Sequence, residues 1–345
     1  MYNNLNNDVI KLIINNLSLK DLIRLRIVNR ENVEIVKCYD RHDMTRIIRF
    51  LKYWKKSFPN MTTANIGRRT NFVHDDFKYF DNVQVLNMNL CNQKTITDKS
   101  FSYLLKIKDL NLQGCCGHWI DGHHFTDKMF DHLSNLEKFY IDDNHVITDT
   151  GIQKLTKIKN LTIHNCGNIT NHGLSNLTNL VRLDIYNLHS LTDDVFKNLC
   201  NLQELQMTFI HHVTDKGILY LSNLQKLNII TCREIKFKNY DRLLKLTHID
   251  LCHVKLDDDD LIYFKNIKSL SLFGFSINGN GFQNLKNIEE LSIYRCSTII
   301  EKNYDYLLEN PNIKTLNMFD CSIISKDKFK ELKDKFGNNF NYRFN

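Results

Sequence analysis

The sequence predicts an α/β solenoid preceded by a small all-α element. Three observations predict it. A unit of 21 or 22 residues recurs over most of residues 61–335. Each unit holds two apolar residues spaced by two, then a second apolar group about a dozen residues on. Residues 1–40 lack this unit and carry apolar residues at helical spacing instead.

The clearest copies open at Ile158, Leu180, Leu202, Leu224 and Leu246, always 22 residues apart. Their apolar pairs are Leu161/Ile163, Leu183/Ile185, Leu205/Met207, Leu227/Ile229 and Ile249/Leu251. Period-2 spacing reads as a short strand with one face buried. The later group, as in Gly173-Leu174-x-x-Leu177, reads as one or two helical turns. No copy can bury both faces alone, but stacked neighbours can. Upstream the register opens at Leu136, Ile107, Val83 and Met61, and downstream at Ile267, Ile288 and Ile313. That makes about twelve units over residues 61–335, with residues 336–345 left as a tail. The spacing lengthens to 24 after Val83, to 29 after Ile107 and to 25 after Ile288.

Three residues past the second strand position lies a small polar slot, holding Cys91, Cys115, Asn144, Cys166, Cys232, Cys296 and Cys321. Leu188 and Ile210 break the pattern, and the slot is altered at Val254 and Phe275. A thiol or amide there can bond backbone groups that would otherwise be buried unpaired. Next comes an apolar residue with Thr-Asp or Thr-Asn, as in Ile96-Thr97-Asp98, Ile147-Thr148-Asp149, Ile169-Thr170-Asn171, Leu191-Thr192-Asp193 and Val213-Thr214-Asp215. Thr or Asp ahead of an apolar run is an N-cap signal, contributing ~1 kcal/mol per helix. These features resemble the cysteine-containing leucine-rich repeat, LxxLxLxxC…ITDxG, over about three quarters of the chain. The resemblance implies a right-handed horseshoe, with parallel strands concave and short helices convex.

At 345 residues the chain exceeds one ordinary core, but a solenoid escapes that limit because each coil packs only on its neighbours. Hydrophobic content of 42% and a mean hydropathy of −0.37 predict a folded, soluble protein. No run of ~18 apolar residues appears, so no membrane span is expected. MYNNLNNDVIK does not read as a secretory leader. Most of the ten Cys sit at one repeat position, which favours reduced structural thiols and a cytoplasmic or nuclear compartment. The net charge of +7 is dispersed, so solubility is the reading preferred over nucleic-acid binding. Usage rich in Asn, Ile and Lys, with Ala64 the lone alanine, suggests an AT-rich genome.

In residues 1–40, Leu5, Val9, Ile10, Ile13, Ile14 and Leu17 line one face of a helix, and Asp8 at its start favours the helix dipole. Ser18-Leu19-Lys20-Asp21 breaks it. Leu22, Leu25, Ile27 and Val28 follow on a second helix, then Val33, Ile35 and Val36. So short a helical element needs a partner to hold a core. Leu5, Asp8, Ile13, Leu17, Asp21, Leu22, Val28 and Arg30 fall in register with LPxExxxxIxxxLxxxDLxxxxxVCRxW, so this element resembles an F-box. Asn6, Asn29 and Asn32 depart from that pattern. With the repeats, the chain resembles the F-box/leucine-rich-repeat substrate receptors of SCF-type cullin-RING ubiquitin ligases. Its residue usage is similar to that of members encoded by giant DNA viruses of amoebae. The resemblance implies a Skp-family adaptor bound through Leu5, Ile10, Ile13, Ile14, Leu17, Leu22, Leu25 and Val28. The alternative is a leucine-rich-repeat protein-interaction scaffold or inhibitor whose N-terminal helices merely cap the solenoid.

Residues 41–60 contain Arg46–Lys56, an amphipathic basic helix whose Ile47, Phe50, Leu51 and Trp54 face is expected to pack on the first coil rather than on a membrane. The 29-residue unit carries GCCGHWIDGHH. Zinc is disfavoured there, because adjacent cysteines rarely ligate one tetrahedral ion and no C-x-x-C is present. An ordered loop offering Trp119 to a partner is expected instead.

Residues alternating with the buried pair point to the other strand face. One column there reads Asn89, Gln113, Asp142, His164, Tyr186, Thr208, Ile230, Cys252, Phe273, Tyr294 and Phe319. Its second half is largely aromatic or apolar, and an exposed stripe of that kind marks a binding site. His164, Tyr186, Ile230, Phe273, Tyr294, Phe319 and Trp119 are therefore the candidate target-binding residues. Codon drift, or cover by the tail, is the competing explanation. No phosphate-binding glycine loop, G-x-S-x-G or His-Glu-x-x-His occurs, and Asp257–Asp260 reads as a helix start, not a calcium loop. The chain is read as a non-enzyme with no cofactor and no metal. Its expected partners are the Skp-family adaptor, through it a cullin-RING ligase, and a target protein, with no nucleic acid and no membrane.

Overall fold

The structure is a computed structural model that describes residues 62–65, 73–89, 96–115 and 125–343. The F-box-like residues, the 41–60 helix and Trp119 lie outside the described residues. Two compact units make up the chain, residues 1–143 and 144–345.

Both units are built from parallel strands laid side by side in sequence order. The first holds β1 (Thr63–Asn65), β2 (Val85–Asn87), β3 (Asp109–Asn111) and β4 (Lys138–Asp142). The second holds β5 (Asn160–His164), β6 (Arg182–Tyr186), β7 (Glu204–Thr208), β8 (Lys226–Ile230), β9 (His248–Cys252), β10 (Ser269–Phe273), β11 (Glu290–Tyr294), β12 (Thr315–Phe319) and β13 (Phe340–Arg343). Register is strict, so every repeat position faces its equivalent: Leu161 pairs Leu183, Leu183 pairs Leu205, and Leu205 pairs Leu227. The two apolar residues of each strand from β2 to β12 are buried, as the period-2 pattern requires. This is an α/β leucine-rich-repeat solenoid.

The tail expected at 336–345 instead contributes a thirteenth strand. Phe340 pairs Leu316 and Tyr342 pairs Met318. The preceding helix, Lys326–Phe336, ends at Gly337 with φ 57°, which turns the chain back into the sheet. The return elements are mostly short 3-10 turns rather than α-helix. A coil of 21 or 22 residues leaves only three to seven for them, which suits the tighter helix.

Past each strand from β3 to β12 the backbone turns through a left-handed residue. Gly114, Asp143, Asn165, Asn187, Phe209, Thr231, His253, Gly274, Arg295 and Asp320 all have φ between 49° and 75° at one repeat position. Next comes the small polar slot, and it works as its chemistry suggests. The Cys115 thiol donates to Met88 O (2.8 Å) and Cys321 to Ile293 O (3.3 Å). Asn144 Oδ1 accepts from the Val146 and Ile147 amides.

Thr126, Thr148, Thr170 and Thr214 cap their helical turns through the side-chain oxygen, whereas Thr192 makes no such bond. The residue after the threonine has a second role, reaching to the next coil. Asp149 accepts from Thr170 N (2.8 Å) and Oγ1 (2.7 Å), and Asp193 from Thr214 N (2.7 Å) and Oγ1 (2.8 Å). Asn171 plays the same part toward Thr192. Asp257 is an N-cap as expected, and Asp258 carries the ladder to Asn278 and Gly281. A second ladder runs through Asn179, Asn201 and Asn223, which donate to the carbonyls of Thr156, Thr178 and Cys200.

A candidate protein-interaction surface

The strand face opposite the core offers three columns in the second unit. The first is charged and largely self-neutralised: Glu204 sits between Arg182 (3.4 Å) and Lys226 (3.0 Å). One residue before β11, outside this column, Glu289 is held by Lys268 (3.1 Å) and by Lys314. The Glu289 carboxyl lies below its usual range because both lysines hydrogen-bond it. The second column is polar, with Asp184, Gln206, Asn228, Asp250, Ser271, Ser292 and Asn317. Asn341 donates to Asn317 Oδ1 (2.7 Å) and Asn317 to Ser292 Oγ (2.9 Å).

The third column holds the predicted target-binding residues. His164, Tyr186, Ile230, Phe273, Tyr294 and Phe319 each end a strand, and register aligns them. All are half-buried rather than fully exposed. Their neighbours are the reason. Tyr294 stacks on Phe319 (5.2 Å, 10° between planes) and on Phe273 (6.1 Å, 29°). The Arg295 guanidinium covers the other part of Phe273, 5.4 Å from its ring centre. Strands ~4.8 Å apart force such rings to stack. The expected open apolar stripe is thus a preformed stacked aromatic wall. β13 extends the sheet beyond β12 and does not cover it. His164 bonds Asp184 (3.2 Å) and leans on Tyr186 (5.6 Å), and Tyr186 meets Phe209 edge-on (5.5 Å, 87°). Phe209 was outside the predicted set because its left-handed backbone lies beyond the strand pattern.

The slot cysteines carry no reactive chemistry. Burial pushes the Cys232 and Cys296 thiols up to about 11, and raises Cys321. Such thiols stay protonated and are poor nucleophiles or ligands. Cys200, Cys232, Cys252, Cys296 and Cys321 form no disulfide among the described residues. Among the described residues no group of three or more His, Cys, Asp or Glu could hold a metal, and no helix is long and apolar enough to cross a membrane.

The sequence matches the F-box domain family at residues 3–37. Comparison with curated proteins gives no match. Among solved structures, the chain is similar to an internalin (InlF) from Listeria monocytogenes, with TM-score 0.55 and 21% identity over 78% of this chain and 76% of that one. It is similar to Rad7 in the yeast Rad7–Elc1 complex, with TM-score 0.55 and 16% identity over 93% of this chain and 90% of that one. It is also similar to a TLR13–ssRNA13 complex, with TM-score 0.55 and 18% identity over 78% of this chain and 41% of that one. At these identities the likeness speaks for the fold. The chain thus joins an F-box domain match to a leucine-rich-repeat solenoid, an arrangement consistent with an F-box/leucine-rich-repeat protein.

Proposed function

We propose that this protein is the substrate receptor of an SCF-type cullin-RING ubiquitin ligase. The observation that carries the reading is the F-box match at residues 3–37 directly ahead of the repeats. F-box domains bind Skp-type adaptors. Here the docking face would be Leu5, Ile10, Ile13, Ile14, Leu17, Leu22, Leu25 and Val28. The Rad7 neighbour, itself solved in a complex with Elc1, supports a protein partner for such a chain.

The solenoid would hold a target protein on its aromatic wall. Rigid stacked rings anchor a partner at low entropic cost. The chain itself performs no chemistry in this scheme. It raises the effective concentration of a target lysine near the charged conjugating enzyme, which other subunits bring. Such a ligase operates in the cytoplasm or nucleus.

Affinity purification with mass spectrometry tests both ends. The wild type is expected to recover a Skp-family adaptor and a cullin, and Ile13→Asp or Leu17→Asp to lose both while the solenoid stays folded. If no cullin component is recovered, and removal of residues 1–40 lowers solenoid stability, the helices are a cap and the reading fails.

A further inference from the structure

A basic ridge runs beside the aromatic wall, on the turns that follow β6 to β9. The second residue past each left-handed position reads His189, His211, Arg233 and Lys255, on four consecutive coils. The coil before them has Gly167 there, and the three after them have Ser276, Ser297 and Ser322. His212 and the exposed His253 add to the same edge.

Two features separate this ridge from ordinary surface charge. First, its permanent cations are uncompensated. The lysines at the strand starts are matched by glutamates, as Lys226 is by Glu204 and Lys268 by Glu289. Arg233 and Lys255 are exposed and form no ion pair among the described residues, with Glu234 next to the first in the chain and Asp257 two residues past the second. Second, His211 is held in place without a hydrogen-bond partner. Its ring stacks on His189 (6.1 Å, 18°) and meets Phe209 edge-on (6.3 Å, 71°). Its Nδ1 is buried and unsatisfied. The ionisable groups that act on His211 are His189 and Arg233 from the neighbouring coils and His212 beside it in the chain. Burial first, and then these neighbours, hold its pKa below the ordinary histidine value. An anion laid across the ridge would neutralise Arg233 and Lys255 and favour a charged His211.

We propose that this ridge is an anion-binding subsite that receives an extended acidic segment of a partner protein, bearing carboxylates or phosphates. It rests on the target-receptor reading and specifies the chemistry of the target. Four strands span ~14 Å, about four residues of extended peptide. A peptide fits better than a nucleic acid. Ile230 and Phe273, beside the ridge, suit the side chains of a polypeptide. Protonating His211, which happens below the ordinary histidine range, adds positive charge, so binding strengthens as pH falls.

The test is fluorescence anisotropy with the full chain, at about pH 6 and about pH 7.5. The probes are ~8-residue peptides rich in glutamate, in phosphoserine or in glutamine, and a single-stranded RNA of equal charge. Tighter binding of one acidic peptide than of the glutamine peptide, stronger at the lower pH, is expected. Which of the two binds tighter separates carboxylate from phosphate recognition. The double variant His211→Gln/Arg233→Gln should weaken that binding about tenfold or more, and Lys255→Gln, which leaves the packed ring alone, should weaken it severalfold. Equal binding of acidic and neutral peptides, unchanged binding in both variants, or tighter binding of the RNA overturns the proposal. Adaptor recovery from the same preparations reads the ligase role separately.

Discussion

At the residue scale, conformation and close approach decide more than side-chain chemistry. The left-handed position past each strand suits Asn165 and Asn187, whose amides also bond each other (2.9 Å). Thr231 holds the same geometry with a β-branched side chain, at φ 54°. A branched residue there costs on the order of 1–2 kcal/mol. Thr231→Asn is expected to raise stability by about 1 kcal/mol, seen as a higher urea midpoint at unchanged slope; a lower midpoint would refute it. The neighbouring Gly217 illustrates close approach. A Cβ there would lie 2.6 Å from Asp193 Oδ1 and 3.0 Å from its Cα. Alanine gains up to ~1 kcal/mol in helix propensity. It also displaces a carboxylate from two hydrogen bonds, at ~2–3 kcal/mol. The clash wins, so Gly217→Ala is expected to be less stable than wild type.

At the scale of the element, the interesting residue is the acid or amide after each threonine. Its pattern was legible in the sequence as an N-cap signal, but its second role was not. The reach from Asp193 to Thr214 joins two coils, and a local motif cannot show which coil a side chain touches. The spacing of 21 or 22 residues between successive Asp or Asn was the available clue, as it was for Asn179, Asn201 and Asn223. Asp193→Ala removes both bonds to Thr214 and leaves its amide without that acceptor. A loss of about 2 kcal/mol is expected in chemical denaturation. Hydrogen exchange should rise first in the 193–215 coil, and uniform protection across that coil would contradict the ladder's role.

At the scale of the whole molecule, each coil depends on its neighbours. Each described strand has a neighbour strand, so the ends are where backbone groups stand open. β13 and the Lys326–Phe336 helix finish the second unit. Lys335 Nζ caps the carbonyls of Leu307 (2.7 Å) and Asn310 (2.6 Å), and Phe329 packs with Phe340 and Tyr342. Removing residues 326–345 uncovers the edge of β12. The truncated protein is expected to self-associate in sedimentation velocity while the full chain does not; a monomeric, stable truncation would show that this cap is dispensable.

The sequence by itself determined the repeat, its register, the buried strand pair and the polar slot. Those follow from spacing, because a residue that recurs every 21 or 22 positions meets the same environment in every coil. Folding alone decided that Tyr294 stacks on Phe319, that Arg295 covers Phe273, that His211 is left without a partner, and that Phe340–Arg343 joins the sheet. These contacts join residues whose partners lie a coil away, or whose own segment carries no repeat signal. Only the stacking of strands at a fixed ~4.8 Å separation brings them together.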